Sequence, residues 1–240
     1  MAECRSMTVA RSTSRETRTH FKVITYMLES GTKLQMDSVP MATACLIYHR
    51  FFKECLLENH DPYLIASSSI YLAAKVCEQQ IRLRDILNVC YRTLHTDRPP
   101  LEINDEYWEL RESLANCELL MLRVLKFQIA FELPHKYLLH YLVSLKDWLS
   151  PSVWADTPIA KTAWALLRDS YHSDLCLRVK PQHLAVTVLY FSLQCNGVGV
   201  PFNDDADKQW WQVFCEDIVE SKIQSIIVEL INMYAMEMNV

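Results

Sequence analysis

Lys75, Glu118 and Leu122 are the residues whose type and position ask for a chemical role. Lys75 is the first charge after an uncharged run, Tyr63 to Ala74, in which Ala66, Ser67, Ser68, Ser69, Ala73 and Ala74 keep the surface small. A helix that is small or apolar all round sits inside other helices, so a cation at its exit marks where a buried element reaches the surface. Glu118 stands one position off an apolar seam of Tyr107, Leu110, Leu114, Cys117, Met121 and Val124, and Leu122 shares its face four residues on. A charge beside an apolar group on the side the core does not need has the chemistry of an interface rim with an anchor. Plainer readings stand beside this one: Lys75 complements the negative end of its helix, Glu118 pairs with a neighbour such as Arg111, and Leu122 is an ordinary exposed leucine.

Catalytic patterns are missing. The 8 histidines are scattered without an H-E-x-x-H pair, and His135 and His140, five apart, point to different helix faces. Asp204, Asp205 and Asp207 cluster without the glycine and closing glutamate of a calcium loop. With only 3 glycines there is no phosphate-cradling loop, and no nucleophile elbow occurs. The 9 cysteines form no C-x-x-C pair and read as reduced packing residues. We therefore expect no catalytic site, no cofactor and no metal.

A net charge of -5 argues against direct nucleic-acid binding, which wants a basic surface. No early apolar run resembles a signal peptide, and no uncharged stretch of ~18 residues could span a bilayer. The expected setting is intracellular, nuclear or cytoplasmic, with no membrane partner.

The elements that must position these residues are helices. Few glycines and many helix formers favour an all-α fold. Residues 1–18, with arginines among serines and threonines, read as a flexible tail. A short helix over His20 to Glu29 ends near Gly31, and further helices are expected at Val39 to Leu57, Pro62 to Gln79, Leu83 to Leu94 and Asp105 to Leu125. Asp61 is a good N-cap, and Pro62 suits the first helical position. After Leu133-Pro134 the pattern restarts with helices at Lys136 to Leu149, Pro158 to Leu175, Pro181 to Cys195, Trp210 to Phe214 and Glu216 to Met236.

Setting Pro181 on Pro62, 119 residues apart, superposes two copies of P-x-x-[IL]-A-x-x-x-[IL]-Y-[LF]-[AS]. Each is a proline-started buried helix, third in a set of five, which reads as a duplicated five-helix domain over 19–130 and 134–238. Lys75 falls on Gln194. The second copy keeps the packing residues and drops the charge, as expected if the charge serves something other than the fold.

These residues resemble the cyclins. Ile70-Tyr71-Leu72-Ala73-Ala74-Lys75-Val76 is similar to that family's L-A-x-K segment in the third helix, and Cys117 to Phe127 is similar to its E-x-x-x-L-x-x-L-x-F signature in the fifth. Ala42 to Phe52 and Arg84 to Val89 bring the resemblance nearer to transcription-type cyclins than to mitotic ones. The stretches 134–145 and 163–172 resemble a member whose partner is the tenth cyclin-dependent kinase. The resemblance implies two consecutive five-helix cyclin boxes and a non-catalytic activating subunit in a heterodimer with a cyclin-dependent kinase, the tenth member suspected. It also implies that Lys75, Glu118, Leu122 and Phe127 bind beside the kinase's mobile helix. A cyclin-fold general transcription factor or scaffold is the alternative. One departure is that the first helix carries Phe21-Lys22-Val23-Ile24-Thr25-Tyr26 where cell-cycle cyclins carry M-R-A-I-L, which places recruitment of R-x-L substrates in doubt.

Overall fold

The first unit is organised around α3 (Pro62–Val76), which begins as its sequence demands. The Asp61 carboxylate accepts from the Tyr63 backbone N–H at 2.9 Å, and Pro62 opens the first turn. Ile65, Ala66, Ser67, Ser68, Ser69, Ile70, Leu72, Ala73 and Ala74 are all buried. Buried hydroxyls need partners. Ser67 and Ser69 donate to the Tyr63 and Ile65 carbonyls of their own helix, and Ser68 donates to Leu114 O at 3.3 Å. Around α3 pack α1 (Ala2–Lys33), α2 (Ser38–Glu54), α4 (Leu83–Leu94) and α5 (Asp105–Val124).

The computed structural model describes residues 2–201 and 207–237, with side chains described over 15–201 and 207–236. Among these residues the chain is helical with no strand. It divides into two compact units, residues 1–131 and 132–240. The second contains α6 (Pro134–Trp148), α7 (Pro151–Asp156), α8 (Ile159–Asp169), α9 (Leu175–Arg178), α10 (Pro181–Cys195), α11 (Trp210–Phe214) and α12 (Glu220–Glu237). Here α10 takes the central place, packed by α6, α8, α11 and α12.

Several expectations need correction. The stretch expected as a flexible tail at 1–18 is helical from Ala2, and α1 continues past Gly31 to Lys33. Three of its threonines are accommodated in the helix by donating to a carbonyl one turn back: Thr19 to Arg15, Thr25 to Phe21 and Thr32 to Leu28. Gly31 lets α1 and α2 approach closely, since a Cβ there would overlap the Met41 sulfur of α2 and force that side chain to shift. The left-handed cap falls instead on Gln35, at φ 54°. Leu56, within the helix expected to run from Val39 to Leu57, is 71% exposed, because α2 ends at Glu54.

In the second unit Pro158 to Leu175 is not one helix. It breaks after Asp169 into a single 3-10 turn, Ser170–His172, and then α9. The short α7 was not anticipated, although Ser150 caps it and Pro151 starts it. The last helix begins at Glu220 rather than Glu216.

The internal repeat is geometric as well as sequential. Pro62 and Pro181 open α3 and α10, Val76 and Cys195 close them, and both pairs lie 119 residues apart. The caps correspond too. Gln79 N–H donates to Ala74 O at 2.8 Å and Glu78 N–H to Lys75 O at 3.2 Å; Val198 N–H donates to Leu193 O at 3.0 Å and Gly197 N–H to Gln194 O at 3.1 Å. Both are the paired bonds that close a helix through a left-handed residue, here Glu78 at φ 57° and Gly197 at φ 64°.

His135, in the first turn of α6, is buried against the Trp164 and Tyr171 rings, and its Nδ1 has no hydrogen-bond partner. Burial lowers its pKa from 6.5 to about 4. The unfolded chain takes up this proton first, so the second unit keeps full stability above about pH 6.5 and loses it as pH falls towards 4. We expect that loss to approach about 1.4 kcal/mol per pH unit within the window. Chemical denaturation of wild type and His135→Phe between those pH values checks this; the variant should lack this part of the acid sensitivity.

Candidate functional site

Lys75 lies in the last turn of α3, and Ser68, two turns earlier on the same face, already ties α3 to α5. That geometry carries the lysine to Glu118 on α5. Lys75 Nζ donates to both carboxylate oxygens, Oε1 at 2.8 Å and Oε2 at 2.9 Å. The ammonium also lies 4.2 Å from the centroid of the Tyr71 ring, one turn back on α3. Partial burial works against the charged lysine, but the Glu118 carboxylate and Tyr71 overcome it and hold the Lys75 pKa above the ordinary lysine value.

The pair is asymmetric: the Lys75 side chain is 48% exposed and the Glu118 side chain 12%. The carboxylate forms the floor and the ammonium the surface. Arg111, the alternative partner for Glu118, lies over the Trp108 ring instead. The placement of Lys75 in the last turn of α3 also meets the helix-end reading.

Leu122 is half-buried, and Phe127 is 69% exposed. Lys126 and Phe127, just past the end of α5, have φ of 52° and 58°, which turns the chain sharply. Phe127 N–H returns to Leu122 O at 2.9 Å, joining two of the expected site residues through the backbone. Arg50 fastens the following residue, donating to Gln128 O at 3.1 Å and to Gln128 Oε1 at 2.9 Å.

Three participants were missed. Tyr71 could have been found from its i, i+4 relation to Lys75. Leu119 and Leu120, 53% and 37% exposed, add apolar surface to α5 beside Glu118. Their signal was the run Leu119-Leu120-Met121-Leu122, which is longer than one buried seam requires. The structure thus unites an ion pair, an aromatic support and an exposed apolar margin, an arrangement fit for binding a protein surface.

Of the acidic trio, Asp204 and Asp205 lie outside the described residues, and Asp207 is exposed. The eight described cysteines are all free thiols. Among the described residues no helix is long and apolar enough to cross a membrane.

Comparison with known proteins fits this geometry. The family model for the cyclin N-terminal domain matches residues 2–130, more than half of the chain. The chain belongs to the cyclin family. Among its relatives are Cyclin-T1-4 of Arabidopsis thaliana, 27% identical over 92% of this chain and 39% of that protein, and Cyclin pch1 of Schizosaccharomyces pombe, 29% identical over 80% and 56%. Cyclin-L1-1 of Oryza sativa subsp. japonica is 30% identical over 87% of this chain and 46% of that protein. These likenesses place it with the transcription-type cyclins. The chain spans between about two fifths and about three fifths of the length of these relatives.

Solved structures share the fold. A chain of the yeast RNA Pol II CTD kinase CTDK-1 complex superposes with a TM-score of 0.70 at 15% identity, covering 92% of this chain and 66% of that one. A chain of the yeast TFIIK complex (Kin28/Ccl1/Tfb3) superposes with a TM-score of 0.63 at 18% identity, covering 97% and 92%. The two consecutive five-helix boxes are the cyclin fold, with short extra helices in the second.

A half-exposed ion pair contributes modestly to stability. A double-mutant cycle with Lys75→Met and Glu118→Gln should give a coupling energy of about 0.3–1 kcal/mol in urea denaturation, falling with added salt. A much larger coupling would identify the pair as chiefly a structural element.

Proposed function

We propose that this chain is a non-catalytic activating subunit that binds a cyclin-dependent kinase through the α3–α5 face of its first unit. The observation that carries the reading is the half-exposed Lys75–Glu118 pair joining α3 to α5, a helix that also exposes Leu119 and leads into exposed Phe127. The second unit has no counterpart to Lys75, since Gln194 occupies the equivalent turn of α10 and is exposed. Only one of two similar units is therefore equipped to dock.

The mechanism is a shift of population. The kinase's mobile helix takes up an inward and an outward position, and the inward one brings the kinase's own Lys–Glu pair together. A surface complementary to the inward position stabilises it by the difference between its affinities for the two states. Leu122 and Phe127, with Leu119, supply the apolar contact area. Lys75 and Glu118 orient the encounter through polar contacts to the kinase. The substrate's phosphoryl chemistry belongs wholly to the kinase, and this chain supplies no catalytic group.

The resemblance of 134–145 and 163–172 to cyclin Q points to the tenth cyclin-dependent kinase as the partner, acting in the nucleus or cytoplasm. Recruitment of R-x-L substrates by the first helix does not fit. Phe21, Val23, Ile24 and Tyr26 of α1 are all buried, leaving only Lys22 and Thr25 of that stretch exposed.

The test is charge exchange. Lys75→Glu with Glu118→Lys preserves an internal ion pair while reversing its outward polarity. Helical content should stay unchanged, whereas co-purification with the kinase and stimulation of its activity should fall at least about tenfold. Phe127→Ala should weaken the complex by about 2 kcal/mol if it is an anchor. Wild-type binding in both variants would overturn the assigned face. A panel of tagged cyclin-dependent kinases decides the partner; selective activation of the tenth is the expected result.

A further inference from the structure

The second unit, which does not carry the proposed kinase face, gathers three side chains of metal-ligating type. His183 lies in the first turn of α10, and Cys215 and Asp217 lie in the turn after α11. Their ligand atoms, the imidazole nitrogen, the thiol sulfur and a carboxylate oxygen, all lie within 4.8 Å of one another. His183 Nε2 and Asp217 Oδ1 are 2.9 Å apart. A tetrahedral zinc ion, with bonds of about 2.0 Å to nitrogen or oxygen and about 2.3 Å to sulfur, separates its ligands by roughly 3.3–3.6 Å. The three atoms therefore need only small side-chain adjustments to close on one cation.

The surroundings hold the ligands in place. Lys180 Nζ donates to the other carboxylate oxygen of Asp217, Oδ2, at 2.6 Å, leaving Oδ1 directed to the cluster. The Tyr141 hydroxyl lies 3.6 Å from Cys215 Sγ. Outer contacts of this kind orient ligating groups and tune their basicity. Cys215 is buried, the His183 side chain is 12% exposed and Asp217 is 56% exposed, so sulfur and nitrogen form the floor and the carboxylate the rim.

An ion-pair network of Lys180, Asp217 and His183 accounts for the carboxylate and the imidazole, and Cys215 packs in the core and meets the Tyr141 hydroxyl. Neither arrangement requires the thiol to lie within ligand reach of both other groups. We propose that His183, Cys215 and Asp217 bind a divalent cation of the zinc class, clamping the start of α10 to the turn after α11. The mixed nitrogen, sulfur and oxygen donor set suits zinc rather than magnesium or calcium. Binding replaces the thiol proton, which leaves to solvent, so affinity falls as pH falls. The proposal does not depend on kinase binding.

The test uses the full chain, stripped with a chelator and titrated with zinc or cobalt. We expect about one equivalent per chain by native mass spectrometry, a rise in melting temperature with zinc, and a thiolate-to-cobalt charge-transfer band with cobalt. Cys215→Ser and Asp217→Asn should each weaken binding by about tenfold or more. Asp217 is exposed enough that its variant keeps the fold, which circular dichroism verifies. Cys195→Ser, at the far end of α10, should bind as wild type. Substoichiometric binding, cobalt bound without the thiolate band, or undiminished binding in the Cys215 and Asp217 variants would overturn the site.

Discussion

The burial of α3 on all sides is the constraint from which the first unit follows. A helix with so little side-chain volume offers large neighbours close approach but has no face to give to water. Four helices must therefore cover it. Its three serines can be buried only because each finds a carbonyl, two within α3 and one on α5. The α5 contact fixes the azimuth of both helices, and two turns later the same face of α3 brings Lys75 onto Glu118. The ion pair is thus a consequence of core packing rather than a device added to the surface.

The two units share a plan and differ in where they use polar groups. Thr187 of α10 stands where Ser68 stands in α3, and its hydroxyl is buried without a hydrogen-bond partner. The second unit uses another position: Ser192, where α3 has Ala73, donates to Ile159 O on α8 at 2.8 Å. In the first unit the polar tie points to the helix that bears Glu118; in the second it points to α8. Loss of Lys75 at Gln194 accompanies this change. The apolar positions and the left-handed caps remain, because they answer to burial and chain reversal, needs common to both copies.

Most of the fold was legible where one residue's physics determines its position. Pro62 and Pro181 marked helix starts, and the uncharged run between Tyr63 and Ala74 identified the central helix. The extent of α1 was not legible. Composition argued for a tail, and Gly31 looked like a terminator, whereas its role depends on Met41 of another helix. The break after Asp169 was hidden for the reverse reason: 158–175 has helical periodicity throughout, and the 3-10 turn there answers to packing. Lys75 and Glu118 could be singled out separately, but their direct pairing could not, since it depends on how α3 and α5 cross. His183, Cys215 and Asp217 escaped notice for the same reason, with α10 and α11 intervening between the histidine and the other two.

The asymmetry of the Lys75–Glu118 pair bears on how such a face can be buried by another protein. Desolvating an isolated charge costs several kcal/mol, and a docking surface carrying two separate ones would forfeit much of what its apolar margin provides. Here the charges already satisfy one another before any encounter. Glu118 is nearly covered by the chain's own packing, and Lys75 lies across it against Tyr71. In the proposed complex a partner covers a pair whose net charge is zero and meets the more exposed member first. The exposed side of the Lys75 ammonium offers a donor that a backbone carbonyl of the proposed partner can accept, a contact that demands orientation without demanding a matching acid. On the proposed reading, exposed Leu119 and Phe127 supply the area, while the pair limits the poses in which that area can be used. Reversing the pair keeps the internal neutrality but turns the donor outermost into an acceptor, so it separates the stability of the face from its recognition chemistry.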